Sequence, residues 1–135
     1  MLARREHSAA ELRQKLAARG FDAGEVEEVL CQLGREGLQS DARFAETWVH
    51  HRTQRGYGPV RIRQELRDRG VPAELIELNL DEADAEWFTR LVEVHRRKYG
   101  TSPPSSYREQ ARQSRFLYQR GFSAEQIRRL FRTDE

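Results

Sequence analysis

Most of the chemistry this sequence could do belongs to arginine. Of its 24 basic residues only Lys15 and Lys98 are lysine, which leaves 22 guanidiniums, planar cations that pair bidentately with carboxylates and phosphates. A coding bias toward arginine explains the excess as readily, so position has to carry the argument. One group is central: Arg52, Arg55, Arg61, Arg63 and Arg67 lie around a glycine turn that also holds Tyr57, the one aromatic residue expected at the surface. A second group, Arg108, Arg112, Arg115, Arg120, Arg128 and Arg129, lies toward the C-terminus. There, nonspecific contact with nucleic-acid phosphates is the chemistry on offer, and solvated surface is the plain alternative.

The remaining residue types offer less. There is no glycine-rich phosphate loop, no His-x-x-x-His pair, and no serine, cysteine or carboxylate set with catalytic spacing. His50 and His51 are adjacent, so on a helix they point about 100 degrees apart and cannot face one metal. His7 and His95 are isolated, and capping or packing is the expected role of each. A single cysteine, Cys31, excludes an internal disulfide and fits a reducing cytosol; among Val29, Leu30 and Leu33 it is expected to be a small buried hydrophobe. No enzyme activity, metal or cofactor is therefore expected.

The central arginines need a helix to present them. Gly56 suits the stop of a preceding helix, Gly58 and Pro59 the start of the next, and Gly70 its end. Between the stops, Ile62 and Leu66 form an apolar face, while Arg61, Arg63, Arg67 and Arg69 take the remainder. Arg63 and Arg67, one turn apart, repel by a few tenths of a kcal/mol, which a Glu65–Arg69 pair offsets.

The rest of the chain repeats these devices. Ser8-x-x-Glu11, Asp22-x-x-Glu25 and Ser106-x-x-Glu109 are capping boxes, Ser40, Asp81 or Asp84, and Ser123 are further helix starts, and Gly20, Gly37, Gly100 and Gly121 are stops. Apolar residues recur at helical spacing: Leu12 and Leu16; Val26, Val29, Leu30 and Leu33; Phe44, Trp48 and His51; Leu75, Ile76 and Leu80; Trp87, Phe88, Leu91, Val92 and His95; Phe116 and Leu117; Ile127, Leu130 and Phe131. Residues 101–106 form the one real linker.

Gly20, Gly70 and Gly121 are spaced 50 and 51 residues apart, and their neighbours fall into register: Leu16, Leu66, Leu117; Phe21, Val71, Phe122; Val26, Ile76, Ile127; Leu30, Leu80, Phe131. Each glycine is preceded by arginine. The expected fold is all-α, with tandem repeats of three-helix units (long, short and basic, short) at 1–38, 39–82 and 83–135 stacked into an elongated, curved array. The first unit then lacks most of its long helix, of which Leu2 to Glu6 remain, and a longer N-terminal version is expected to resist urea better.

Composition agrees with thin helical layers: 37% of residues are hydrophobic, mean hydropathy is −0.89, and 34% are charged with a net charge of only +2. The charge is a mosaic, with six acids and no base over 71–89 and eleven bases against three acids over 90–132. Helix, glycine stop, helix resembles a DNA-binding helix-turn-helix in outline. Glu25, Glu27 and Glu28 in the first copy, and Glu74 and Glu77 in the second, would meet phosphate-lined grooves, leaving only Arg128, Arg129 and Arg132 of the third suited to one. No apolar run approaches the roughly 20 residues of a membrane span, and no signal peptide is present, so a cytoplasmic protein without membrane attachment is expected.

Five segments carry a resemblance: Arg-Glu-His-Ser at 5–8, Leu-Gln-Ser-Asp-Ala-Arg-Phe-Ala at 38–45, Arg-Gly-Tyr-Gly-Pro-Val-Arg-Ile-Arg-Gln-Glu-Leu at 55–66, Arg-Arg-Lys-Tyr-Gly at 96–100, and Phe-Leu-Tyr-Gln-Arg-Gly-Phe-Ser at 116–123. With them the chain resembles the RecX family, bacterial regulators of the recombinase RecA, over essentially its full length. The family has a fuller helix before the first segment. The resemblance implies a non-enzymatic protein, expected to be a monomer. It would bind the groove of the RecA filament on single-stranded DNA and limit its growth, ATP hydrolysis, strand exchange and co-protease activity. A stand-alone nucleic-acid-binding or transcriptional module is the alternative. The resemblance designates no contact residues; exposure and charge select Arg52, Arg55, Tyr57, Arg61, Arg63 and Arg67 for the filament, and the C-terminal arginines for weak DNA contact.

Overall fold

Helix propensity, caps and glycine stops decide the local structure almost everywhere. The computed structural model describes residues 6–81 and 84–132, and all regular structure among them is helical. The helices are α1 (Ala9–Ala18), α2 (Ala23–Arg35), α3 (Asp41–Gln54), α4 (Pro59–Asp68), α5 (Ala73–Asn79), α6 (Ala85–Tyr99), α7 (Tyr107–Arg120) and α8 (Ala124–Arg132). The remnant helix expected before Glu6 and the boundary expected at 82–83 lie outside the described residues.

The expected starts are caps. Ser8 and Asp22 form full reciprocal boxes with Glu11 and Glu25. Ser106 forms only half of one: it accepts from the Glu109 amide, but the Glu109 carboxylate turns to Arg112 and Gln113. The full third box sits instead on α8, where Ser123 and Gln126 exchange both bonds. All six expected stops, at 20, 37, 56, 70, 100 and 121, have positive φ. The register drawn from three of them reappears as one repeated turn: the amides of Phe21, Val71 and Phe122 donate to the carbonyls of Leu16, Leu66 and Leu117 at 3.3, 3.1 and 3.3 Å. The unit is less regular than expected in its third copy, where the basic helix α7 has 14 residues against 10 in α1 and α4.

The chain packs as two compact units, residues 1–49 with 65–79 and residues 50–64 with 80–135, so that α3 and α4 each contribute to both. In the first unit Leu12, Val26 and Leu30 form a cluster joined by Leu16 and Leu33. Phe44, Ala45, Leu66, Val71 and Ile76 are also buried there. The Asp41 carboxylate accepts from the Ala9 amide, so the residue opening α3 also satisfies the start of α1. In the second unit Ile62, Leu80, Trp87, Leu91, Leu117, Phe122, Ile127 and Leu130 are buried.

Some positions differ from the sequence expectation, each for a local reason. Cys31 is exposed, as is Val29, because α2 buries only the narrow line through Val26 and Leu30; Phe21, in the turn before α2, is exposed as well. His51 is exposed; His7 is buried with its ring 2.9 Å from Lys15 Nζ. In α8 the buried position passes from Phe131 to Leu130, and Phe131 meets the His95 ring edge-on. Glu65 does not take Arg69 as its side-chain partner: its carboxylate accepts from Trp48 Nε1 at 3.0 Å, while the Arg69 guanidinium lies 4.0 Å over the Trp48 ring.

Candidate protein-binding site

The site is made by a helix end, a turn and a helix start. Helix α3 closes when the Gly56 and Tyr57 amides donate to the carbonyls of Thr53 and Arg52, with Gly56 at φ 88°. The closure lays the Tyr57 ring under the Arg52 guanidinium, 3.8 Å from its centroid. Two residues later α4 begins, and its first amides are not left to water. Gly58 donates to the Arg120 carbonyl at 2.8 Å and Val60 to the Gly121 carbonyl at 2.9 Å, so orphan donors of α4 meet orphan acceptors at the end of α7.

So close an approach requires glycine on both sides. A Cβ at Gly121 would stand 2.3 Å from Arg61 Cβ, and one at Gly58 would stand 2.6 Å from the Gly121 carbonyl carbon. Gly121 also takes φ 104°, open to glycine at little cost. The contact carries two more guanidiniums to the same ring, Arg61 at 4.4 Å and Arg120 at 4.9 Å from the Tyr57 centroid. Arg61 Nη1 donates to the Gln119 carbonyl and Arg120 Nη1 to the Arg55 carbonyl. Three cations thus surround one half-buried aromatic ring, each contact worth about 0.5–1 kcal/mol when solvent reaches it.

Of the six residues selected from sequence, the structure brings together Arg52, Tyr57 and Arg61. Arg55 is exposed on the same turn. Arg63 is turned inward to a structural task, donating to the Leu80 carbonyl at 3.1 Å. Arg67 is exposed on the part of α4 that belongs to the first unit, beside Gln14, Asp68 and Arg69.

The C-terminal arginines divide similarly. Arg108, Arg112 and Arg115 are exposed along one side of α7, spanning about 10 Å at 1.5 Å per residue. Arg112 is held by Glu109 at 2.8 Å; this hydrogen bond, with a further one from Gln113, holds the Glu109 carboxyl below its ordinary range. Arg128 and Arg129 are exposed on α8, the latter 4.2 Å over the Phe88 ring. Arg120 belongs with Tyr57. The sequence signal for that was the arginine before each aligned glycine: Arg69 and Arg120 both lie over aromatic rings, and their carbonyls accept from Ser8 Oγ and the Gly58 amide. Among the described residues no group of three or more His, Cys, Asp or Glu could hold a metal, and no helix is long and apolar enough to cross a membrane.

Sequence models of the RecX three-helix domains match the chain in order, the first at residues 1–33, the second at 40–78 and the third at 84–131. The chain belongs to the RecX family. Among RecX relatives it is similar to a "Regulatory protein RecX" of Halorhodospira halophila, at 49% identity over 95% of this chain and 80% of that protein. It is also similar to one of Pseudomonas entomophila, at 45% over 96% and 84%. The solved RecX of Lactobacillus salivarius has the same fold, with a TM-score of 0.81 at 21% identity over 98% of this chain and 88% of that one.

Proposed function

We propose that this protein is a regulator of RecA, mainly an inhibitor, that binds in the groove of the filament RecA forms on single-stranded DNA. It limits filament growth, ATP hydrolysis, strand exchange and co-protease activity, catalyses no reaction of its own, and acts in the cytoplasm as a monomer. The observation that carries this reading is the ordered match to all three RecX three-helix domains, beside relatives named as regulatory proteins. Three tandem units, at 1–38, 39–82 and 83–135, suit contact with successive protomers, where weak contacts act together through effective concentration.

The Tyr57 cluster is the proposed center of contact. Arg52, Arg61 and Arg120 are already ordered on a ring, so binding immobilises them at small entropic cost, and arginine with tyrosine is the composition of binding hot spots. Arg55 serves as an outer contact on the same turn, Arg67 as a separate contact on the first unit, and Arg63 supports α4. The Arg108, Arg112 and Arg115 stripe, with Arg128 and Arg129, favours weak DNA contact beside the protein contact.

The test is ATP hydrolysis by RecA on single-stranded DNA with increasing amounts of this protein, beside binding of the protein to the same DNA without RecA. Suppression is expected at concentrations where bare DNA stays unbound. The R52E/R61E double variant is expected to need about tenfold more protein for half-suppression, with helicity unchanged. Tight, steeply salt-dependent binding to bare DNA without suppression would replace this reading with a nucleic-acid module.

A further inference from the structure

Behind the Tyr57 turn, within the second unit, lies a pocket of about 280 Å³ between the end of α3, the last turns of α6 and the end of α7. Its wall is cationic: Arg55, Arg90, Arg97, Lys98 and Arg120 line it, against the single carboxylate of Glu93. That carboxylate is a loose partner, 3.8 Å from Arg90, which stands equally far from Glu86. Lys98 Nζ sits 4.3 Å over the Phe116 ring, which also lines the pocket. The pocket is also lined by Thr53, whose Oγ1 is buried and has no hydrogen-bond partner, the one side-chain atom of that kind among the described residues.

These two observations point the same way. Cations near the ends of α3, α6 and α7 complement the negative ends of helix dipoles, and Arg120, bonded to the Arg55 carbonyl, does this. Dipoles do not account for the buried hydroxyl, which loses water and gains nothing unless an acceptor enters. A cation or an apolar molecule would be repelled or left unpaired by this wall. An oxyanion with several acceptors on one center would satisfy both the guanidiniums and the hydroxyl.

We propose that this pocket is a phosphate-binding site, with Arg90, Arg97 and Lys98 neutralising the group and Thr53 Oγ1, closed off in the unliganded pocket, turning to donate to one of its oxygens. The phosphate comes from a free phosphorylated nucleotide or from a nucleic-acid strand. The sources are separated by titrating the protein at low salt with pyrophosphate, with dTMP against thymidine, and with a dT oligonucleotide with and without a 5′-phosphate, followed by calorimetry and by the amide resonances of α3 and α6.

The expected result is saturable binding of one phosphate group per chain, with thymidine silent. T53V keeps the shape of the side chain and removes the donor. It is expected to weaken binding about tenfold while leaving the melting temperature of the unliganded protein unchanged or higher. R97Q, at an exposed position where folding is not at stake, is expected to weaken binding comparably. Binding confined to the oligonucleotides and lost in both variants assigns the phosphate to a strand; binding of dTMP assigns it to a nucleotide. Absence of saturable binding by any phosphate compound, or binding indifferent to both variants, overturns the proposal.

Discussion

Replacing Gly70 by alanine should cost far more than replacing Gly20, although the two occupy equivalent turns in one unit. Both have positive φ, 77° and 96°, so each alanine carries the same backbone strain of about 1 kcal/mol. They differ in what surrounds them. A Cβ at Gly20 meets nothing within 4 Å, whereas one at Gly70 would stand 2.3 Å from Ala10 Cβ. Two carbons need about 3.5–4.0 Å, so the turn must retreat from the start of α1 by roughly 1.5 Å.

That retreat breaks the hydrogen bond from Ser8 Oγ to the Arg69 carbonyl, now 2.6 Å, and leaves the hydroxyl proton of a fully buried residue without an acceptor, while its oxygen still caps the Glu11 amide. An unsatisfied buried hydroxyl costs about 1–3 kcal/mol, so Gly70→Ala should lose about 3 kcal/mol against about 1 kcal/mol for Gly20→Ala. Urea unfolding followed through Trp48, which lies in the same unit, measures both. With a slope of about 1–3 kcal/mol per molar urea, the two midpoints should differ by roughly 0.7–2 M. Equal midpoints would refute the argument that the end of α4 is locked onto the start of α1.

Other consequences are smaller and independent. Gly121→Ala should destabilise the second unit by about 3 kcal/mol, read through Trp87 in a W48F background, since it opposes Arg61 and displaces the acceptors of the Gly58 and Val60 amides. Because the Arg112 hydrogen bond depresses the Glu109 carboxyl, its stabilising contribution is present above the unfolded-state pKa and disappears as pH falls through the folded one. Carboxyl NMR should show Glu109 titrating below ordinary glutamates, and R112Q should move it upward. Cys31, exposed on α2, should react fully with a maleimide in the native protein; protection until urea unfolds the chain would contradict its placement.

The fold was legible because it rests on local signals. Capping residues at 8, 22, 84 and 106 and glycines at 20, 37, 56, 70, 100 and 121 punctuate the chain, and local hydrogen bonds answer to them directly. Burial was less legible, since a 3.6-residue period says which side of a helix is apolar but not how much of that side another element covers. Val29 and Cys31 flank the same stripe as Val26 and Leu30, yet only the latter two are covered. Phe21 and Phe122 hold equivalent turn positions at 44% and 1% exposure, a difference made entirely by what packs beside each turn.

The candidate site shows the same division between local and distant causes. Tyr57 and Arg52 were within reach of sequence, because a turn closed by Gly56 brings residue 57 back over residue 52. Arg120 was not, because it arrives from 63 residues away through a contact between helix ends that no periodicity encodes. What the sequence did carry was the pairing of arginine with the following glycine. Glycine lets a helix end touch another helix start, and the arginine before it is thereby brought against whatever aromatic residue lies there: Trp48 for Arg69, Tyr57 for Arg120. Arg19 has the same neighbour in sequence but no helix start against Gly20. If the contact rather than the dipeptide orders the guanidinium, Arg19 should remain mobile while Arg69 and Arg120 are fixed. Side-chain Nε relaxation measures this, and an Arg19 as rigid as the other two would place the cause in the turn itself.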